Sequence, residues 1–470
     1  MLDQLKCKQS GTLLDVMQVI NTNGKGIAFI VDDKNKFCGV MTDGDIRRLL
    51  LDGKDLSAGI QDLPNSECTV AYSHESFQEM LDKTNESVSI LPVLNDANEL
   101  VDFFQYQNKV YVPVATPNLK GNEFKYLVDA YLSTWISSSG SYIRQFEDEF
   151  STYCQCEYGV AVSNGTVAIH LALEALGVGK GDEVIVPDLT FAATINAVFH
   201  AGATPVIVDV DEDSWCIDPA EIEKAISPKT KAIIPVHIYG QVCDMDRIMS
   251  LSKKHNLYVI EDCAEAHGAT FKGQKVGSFG HISTFSFFGN KVITTGEGGM
   301  CVTNDADLND QMCVLRDHGM SKEKRYWHDR VGYNYRMTNL QAAIGVGQLE
   351  RIDEILQFRR EIEQAYKEIC TDINFIQFEK DFENKNRITW LVSALVTNGK
   401  RDELIAKLKA ESIDARPFFY PLGDMEPYKD YVFSNENSKK LSAMGINFPT
   451  GQALTDKLKK RIKSVFQEFA

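Results

Sequence analysis

From residue 123 onward the chain alternates short apolar, β-branched runs with helical stretches, and this alternation constrains the fold more than any other feature. The runs at 183–186, 205–210 and 231–236 carry too few polar positions for one wet face, so they suit strands buried on both sides of a largely parallel sheet. Helices are predicted at 167–176, closed by Gly177, and over the long stretch 340–358. Ligands in such sheets bind at the carboxyl ends of the strands, so the residues that directly follow each apolar run are the ones to read for chemistry.

Two such places stand out. Leu257, Tyr258, Val259 and Ile260 lead straight into Glu261 and Asp262, with Glu265 three residues on. Further along, Lys291 follows the aromatic positions Phe285, Phe287 and Phe288 and precedes the turn Thr294-Thr295-Gly296-Glu297-Gly298-Gly299. Phe285, Phe287, Phe288, Val292 and Ile293 would desolvate this lysine. A buried lysine able to form an imine, with an aspartate at a strand end to hold a pyridinium nitrogen, is the minimum equipment for pyridoxal phosphate (PLP) chemistry. Asp262 would keep the ring nitrogen protonated, Glu265 would approach the ring hydroxyl, and the amine of Lys291 would carry a proton between the amino donor and the cofactor. A solvated lysine and a surface acid cluster are the plain alternatives.

Other residues fit the same picture more weakly. In Ser163-Asn164-Gly165-Thr166, Gly165 permits close backbone approach, and Thr166 with the free amides of the next helix can hold a phosphate. Taken alone, this reads equally as an ordinary helix cap. Phe191 follows the strand that ends at Pro187 and either stacks on a flat ring or belongs to the core. Ser286 offers a further phosphate hydrogen bond or is a plain strand serine. The polar loop 332–339 precedes the long helix, with Thr338 or Asn339 as its cap.

The formal charge of −17 would repel nucleic-acid phosphates. No long uncharged apolar run and no signal peptide is visible, which predicts a cytoplasmic protein away from membranes. The eleven cysteines show no C-x-x-C spacing, and Cys154-Gln155-Cys156 reads as free thiols. The histidines lack metal-ligand spacing, so no metal is expected, and His237 reads as structural or substrate-facing. Gly177-Val178-Gly179-Lys180-Gly181 follows a helix and is a turn, not a dinucleotide loop.

Residues 1–112 read as a separate α/β unit of two similar halves. The first half has a helix at 11–20, strands at 26–31 and 37–41, a turn between them and a helix at 43–51. The second has a helix at 77–81, strands at 88–94 and 100–104 and a turn at 95–98. The stretch Gly39-Val40-Met41-Thr42-Asp43-Gly44-Asp45 resembles that of a CBS module, which implies that Thr42 and Asp45 face the phosphate and ribose of a regulatory nucleotide. A helix cap is the competing reading for both. Glu99 to Phe104 lacks that spacing. Residues 113–122, with Pro113 and Pro117, read as a linker, 123–358 as a large PLP-binding domain and 359–470 as a smaller C-terminal α+β domain.

Read together, Ser163 to Thr166, Asp262 to Glu265, Ser286, Lys291 with its glycine-rich turn, Asn334 and Arg336 occur in the order found in the DegT-type sugar aminotransferases, PLP enzymes of fold type I, which the chain from about residue 126 resembles. The resemblance implies a mostly parallel central sheet. It also implies that Lys291 is the Schiff-base lysine and Asp262 the partner of the ring nitrogen. Phe191 would stack on the ring, Glu265 would sit near its hydroxyl, and Gly165, Thr166 and Ser286 would hold the phosphate. Asn334 would reach the cofactor of a neighbouring subunit, making the active unit a homodimer. Glutamate is implied as donor and a nucleotide-linked 4-keto-6-deoxyhexose as acceptor. Phe287 to Lys291, Pro235 to Met245 and Arg325-Tyr326-Trp327 are most similar to members acting on GDP-linked sugars, so GDP-4-keto-6-deoxymannose is the favoured substrate.

Relatives that dehydrate at C3 carry histidine at the lysine position, so Lys291 favours transamination over a PLP sugar dehydratase. The chain departs from the family at Gly423, where relatives often have histidine. A catalytically dead, nucleotide-sensing regulator is the third reading, and the complete set of cofactor residues argues against it.

Overall fold

The computed structural model describes residues 2–62, 68–84, 88–105 and 111–469. The chain forms two compact units, 1–110 and 111–470. Among the described residues no helix is long and apolar enough to cross a membrane.

In the N-terminal unit the two halves repeat one topology. Lys6–Lys8 pairs in parallel with Ile27–Val31, which pairs antiparallel with Phe37–Thr42. Ala71–Tyr72, Ile90–Leu94 and Leu100–Gln105 repeat that order and those directions. Helices Leu13–Asn23 and Phe77–Asp82 fill the same place in each half, and each opens with a capping box, Thr12 with Asp15 and Ser76 with Glu79. The hairpin turns embrace each other reciprocally. The Phe37 amide donates to the Asn98 carbonyl at 3.0 Å and the Leu100 amide to the Asn35 carbonyl at 3.2 Å. Asn35 and Asn98 both adopt positive φ, 63° and 62°, which asparagine tolerates better than most residues. The repeat read from the sequence is therefore a local pseudo-twofold.

The larger unit is built on seven strands: β1 (Tyr158–Val162), β2 (Glu183–Pro187), β3 (Thr204–Val208), β4 (Thr230–Ile233), β5 (Tyr258–Asp262), β6 (Ile282–Ser286) and β7 (Gly299–Thr303). Their spatial order is β1-β7-β6-β5-β4-β2-β3, and every strand but β7 runs in one direction. Consecutive side chains point to opposite faces, and both faces are covered. Ala161, Ile185 and Val259 belong to one core, while their neighbours Val160, Val184 and Ile260 belong to the other. That is why these strands read as unbroken apolar runs.

The stretch predicted as one helix over 340–358 is two, Asn339–Leu349 and Ile352–Ile369, broken at Glu350 and Arg351. The first is pinned by close packing: a Cβ on Gly347 would lie 2.7 Å from the Glu123 amide nitrogen. The second runs straight through position 359, so the division between larger and smaller parts falls inside a helix and not in a loop. Its Ile352 and Ile355 lie in the core beneath the seven-stranded sheet, and its Ile362, Tyr366 and Ile369 in the core of the smaller part. That smaller part carries a four-stranded antiparallel sheet of Ile376–Phe378, Val392–Val396, Gly445–Phe448 and Arg416–Pro417 in that order. Residues 112–116 lie against it: Val112 exchanges backbone bonds with Ser412 and Asp414, each 2.8 Å, and Val114 accepts from the Thr450 amide at 2.8 Å.

The two parts also meet at Gly240, where φ is +101° and a Cβ would stand 2.1 Å from the Ile388 carbonyl oxygen. Only glycine fits there.

Candidate active site

The carboxyl ends of the parallel strands open onto a cavity of about 920 Å³. Gly165, Thr166, Phe191, Asp262, Glu265, Ser286 and Lys291 all line it, although 126 residues of sequence separate the first from the last. Asn334 is not among the lining residues. It is exposed, and its Oδ1 accepts a 3.0 Å hydrogen bond from Arg336 Nε.

Asp262 and Glu261 are consecutive on β5 and so face opposite sides of the sheet. Asp262 faces the cavity. Its Oδ2 accepts from Thr194 Oγ1 at 2.8 Å and its Oδ1 from the Ala264 amide at 3.1 Å. Burial pushes its carboxyl above the usual range, against the pull of these donors and of Lys291.

Glu261 turns away from the cavity and is fully satisfied. It accepts from the amides of Gly277, Phe279 and Gly280 at 2.7–2.9 Å, from Ser283 Oγ at 3.1 Å and from His237 Nε2 at 3.1 Å. Burial opposes its charge, but His237 and the backbone amides outweigh that and hold it below the usual carboxylate range. His237 Nδ1 accepts from the Cys243 amide at 3.1 Å, which places the ring proton on Nε2, facing Glu261. His237, Glu261 and Cys263 cluster within 4.8 Å, but this bonding commits the first two to structure. His237 is thus structural. Cys156 is likewise a packing thiol: buried against the Gly277 carbonyl at 3.3 Å, it is pushed up to about 12 by burial.

Lys291 sits on a loop closed on itself. The Phe287 amide donates to Gly298 at 2.8 Å, and the Thr295 amide to Phe287 at 3.0 Å. Phe285, Phe287, Val292 and Ile293 are buried as expected, Phe285 and Phe287 with ring centroids 4.9 and 5.1 Å from that of Phe150. Phe288 is not; it is 47% exposed and lines the cavity. The lysine amine is instead sheltered by Trp390, whose ring centroid lies 4.1 Å from Nζ, and by Glu265 Oε1 at 3.4 Å. Glu265 is anchored through Oε2 by the Tyr239 amide at 2.8 Å, and burial raises its carboxyl.

The chain fits PLP. Asn164 caps the helix Gly165–Ala175 through the Val167 amide at 3.0 Å, leaving the first-turn amides of that helix at the cavity wall. A Cβ on Gly165 would meet that of Ser286 at 2.8 Å, so glycine lets the helix start and the end of β6 converge on one small volume. Phe191, 60% exposed, presents its ring to the same cavity. A helix N-terminus with free amides, a flat apolar wall, a buried acid and a sheltered amine thus line one cavity.

Thr194 and Trp390 also line the cavity and escaped the sequence reading; Arg416, which opens the loop that ends at Gly423, lines it too. Thr194 had a cue in its position three residues after Phe191 at the start of a helix. Trp390 comes from the smaller part and had none. At Gly423 a Cβ would lie 2.4 Å from Val432 Cγ2, and the amide donates to Asp188 Oδ1 at 2.6 Å, so the departure noted there is a packing site.

In the N-terminal unit Thr42 and Asp45 form a capping box. Asp45 Oδ2 accepts from the Thr42 amide at 2.8 Å and its hydroxyl at 2.7 Å, and Oδ1 pairs with Arg48 at 2.6 Å.

The model of the DegT/DnrJ/EryC1/StrS aminotransferase family matches residues 117–467, and that of the CBS domain matches residues 3–52. GDP-perosamine synthase of Escherichia coli O157:H7 is 48% identical over 347 residues, covering 74% of this chain and 95% of that protein. GDP-perosamine synthase of Vibrio cholerae is 44% identical over 365 residues, covering 76% and 99%. Among solved structures, the aminotransferase from Psychrobacter cryohalolentis superposes with a TM-score of 0.71 at 33% identity, covering 77% of this chain and 98% of that one. The chain therefore belongs to the DegT/DnrJ/EryC1/StrS aminotransferases and is a PLP-dependent enzyme of that family, with a CBS domain ahead of its catalytic unit.

Proposed function

We propose that this enzyme transfers the amino group of glutamate to C4 of a nucleotide-linked 4-keto-6-deoxyhexose, with GDP-4-keto-6-deoxymannose as the favoured acceptor. The observation that carries the reading is the pairing of Lys291 and Asp262 on one cavity, with lysine where a dehydratase would have histidine. The similarity to GDP-perosamine synthases of three bacteria supports the choice of sugar and nucleotide. PLP bound here supplies an aldehyde for imine formation and a protonated ring that takes up electrons. Lys291 would hold it covalently and would then move the proton at the donor carbon. Asp262 would keep the ring nitrogen charged, Glu265 would orient the hydroxyl edge, Phe191 would cover one ring face, and Gly165, Thr166 and Ser286 would bind the phosphate.

Incubation with PLP and glutamate across a panel of nucleotide-linked 4-keto sugars tests this. A glutamate-dependent amino product should appear by mass, with the GDP sugar turned over fastest. A deoxy product formed without glutamate would instead identify a dehydratase.

Asn334 belongs, on this reading, to the site of a second subunit. Helix Glu123–Leu132 and the residues after it expose Phe124, Tyr131, Leu132 and Trp135, each at least 60% accessible, an apolar surface of the kind a homodimer covers. Mixing inactive Lys291→Ala and Asn334→Ala protomers should then restore about a quarter of wild-type activity, since random pairing leaves one intact site in half the dimers. No recovery after verified subunit exchange would place Asn334 outside the partner's site.

The reading extends to Thr42 and Asp45 as contacts to a regulatory nucleotide. Arg48 is 71% exposed, so its exchange for ribose hydroxyls at Asp45 Oδ1 leaves the Oδ2 cap in place. Asp45→Ala should weaken adenine- or guanine-nucleotide binding by about tenfold with unchanged PLP content, measured by equilibrium titration. Equal binding would leave these residues a capping role alone.

A further inference from the structure

Arg359 lies at the middle of the helix Ile352–Ile369, one turn from Ile355 in one core and one turn from Ile362 in the other. It is 4% exposed. A guanidinium taken out of water is ordinarily matched by a carboxylate. Among the described residues Arg359 has none; its hydrogen bonds go to two backbone carbonyls. Nη1 donates to Trp390 and Nη2 donates to Lys291 at 3.0 Å. Trp390 answers from the other side: its Nε1–H donates to the Asn290 carbonyl at 2.9 Å, and its ring centroid lies 4.1 Å from Lys291 Nζ. The carbonyls of Asn290 and Lys291 are thus both held by side chains from beyond residue 358. Burial brings the guanidinium down only to about 10, so it stays charged at neutral pH. The nearby His267 is pushed down to about 3 by burial and by the charges of Lys291 and Arg359, so it adds no second cation.

Keeping an uncompensated cation in a dry interior costs stability, and among the described residues it serves the backbone of Lys291 and of Trp390, whose ring shelters that amine. We propose that Arg359 is a positioning residue for transamination: it ties Lys291 and Trp390 together from the helix that joins the two cores, so that the amine enters the cavity in one orientation. This rests on the reading of Lys291 as the reacting amine. Near-attack geometry is steep in its effect, and a displacement of about 1 Å can cost 10²-fold in rate.

The test uses full-length Arg359→Met, which keeps length without donors, and Arg359→Lys, which keeps the charge but reaches the carbonyls less completely. Two quantities are read: the rate at which the visible cofactor band appears when PLP is added to cofactor-free protein, and kcat against KM. The methionine variant should form the band about tenfold more slowly. Its kcat should fall about 10²-fold with KM for both substrates within about twofold, and the lysine variant should recover part of both losses. Wild-type band formation and kcat in Arg359→Met would overturn the proposal. If that variant fails to fold, Arg359→Lys decides: wild-type rates overturn the proposal, slowed rates support it. Lys291→Ala run alongside separates the two readings, because a band that survives there defeats the assignment of Lys291 itself.

Discussion

Lys291→Ala should abolish the visible absorbance band of the purified, PLP-treated protein and lower turnover by about 10⁴-fold or more. The expectation follows from the cavity. Among the described residues lining it, Lys291 is the only lysine; Arg416, 56% exposed in its side chain and paired with Asp414 at 3.0 Å, cannot form an imine. The substitution should leave the fold intact. The lysine side chain touches Glu265 at 3.4 Å and the face of Trp390, while the loop is held by its own backbone bonds and by carbonyl contacts from Trp390 and Arg359. A band that persists in the alanine variant, or turnover within tenfold of wild type, would show that the amine acts elsewhere.

Asp262→Asn should be nearly as damaging to turnover while sparing cofactor attachment. The amide is isosteric: its oxygen can accept from the Ala264 amide, 3.1 Å away in the wild type, while its NH2 donates to the Thr194 hydroxyl at 2.8 Å, so the site should keep its shape. What it loses is the buried negative charge that would face a ring nitrogen, and with it the reason for that nitrogen to stay protonated. A fall in kcat of about 10³-fold, equivalent to about 4 kcal/mol, is expected, with the band still formed on adding PLP. Stopped-flow measurement of the glutamate half-reaction reads this directly. A rate within a few fold of wild type would remove Asp262 from the chemistry. Thr194→Val should produce a smaller loss of the same kind, because it removes one of the two hydrogen bonds that orient the carboxylate.

The residues that could be read from the sequence share a property: each sits at the end of a strong local signal. Asp262 ends an apolar strand, Lys291 follows an aromatic one, and Gly165 opens a helix, so position along the chain carried information about position at the sheet edge. The repeat in the first 110 residues was legible for the same reason, since both halves carry hairpin turns of like composition. What could not be read depends on contacts made across the fold. The break at Glu350 and Arg351 interrupts an otherwise helical pattern. Trp390 and Arg359 reach Lys291 from 99 and 68 residues away, and no periodicity links such positions. Glu261 and Asp262 looked alike as neighbours in an acid pair. The pleat alone separates them, one into the cavity and one into a buried ring of donors.

The reversed direction of β7 has a consequence for how this protein can vary. Because β6 and β7 form a hairpin with Ser286 opposite Gly299, the twelve residues between them must leave and re-enter the sheet in fixed phase. A slip of that pairing by one residue would swap the inward and outward faces of β7, pushing Met300 and Cys301 each into the other's core. Diversity in this enzyme should therefore gather in its outer loops, while the span bearing Lys291 can change only in ways that leave that pairing in place.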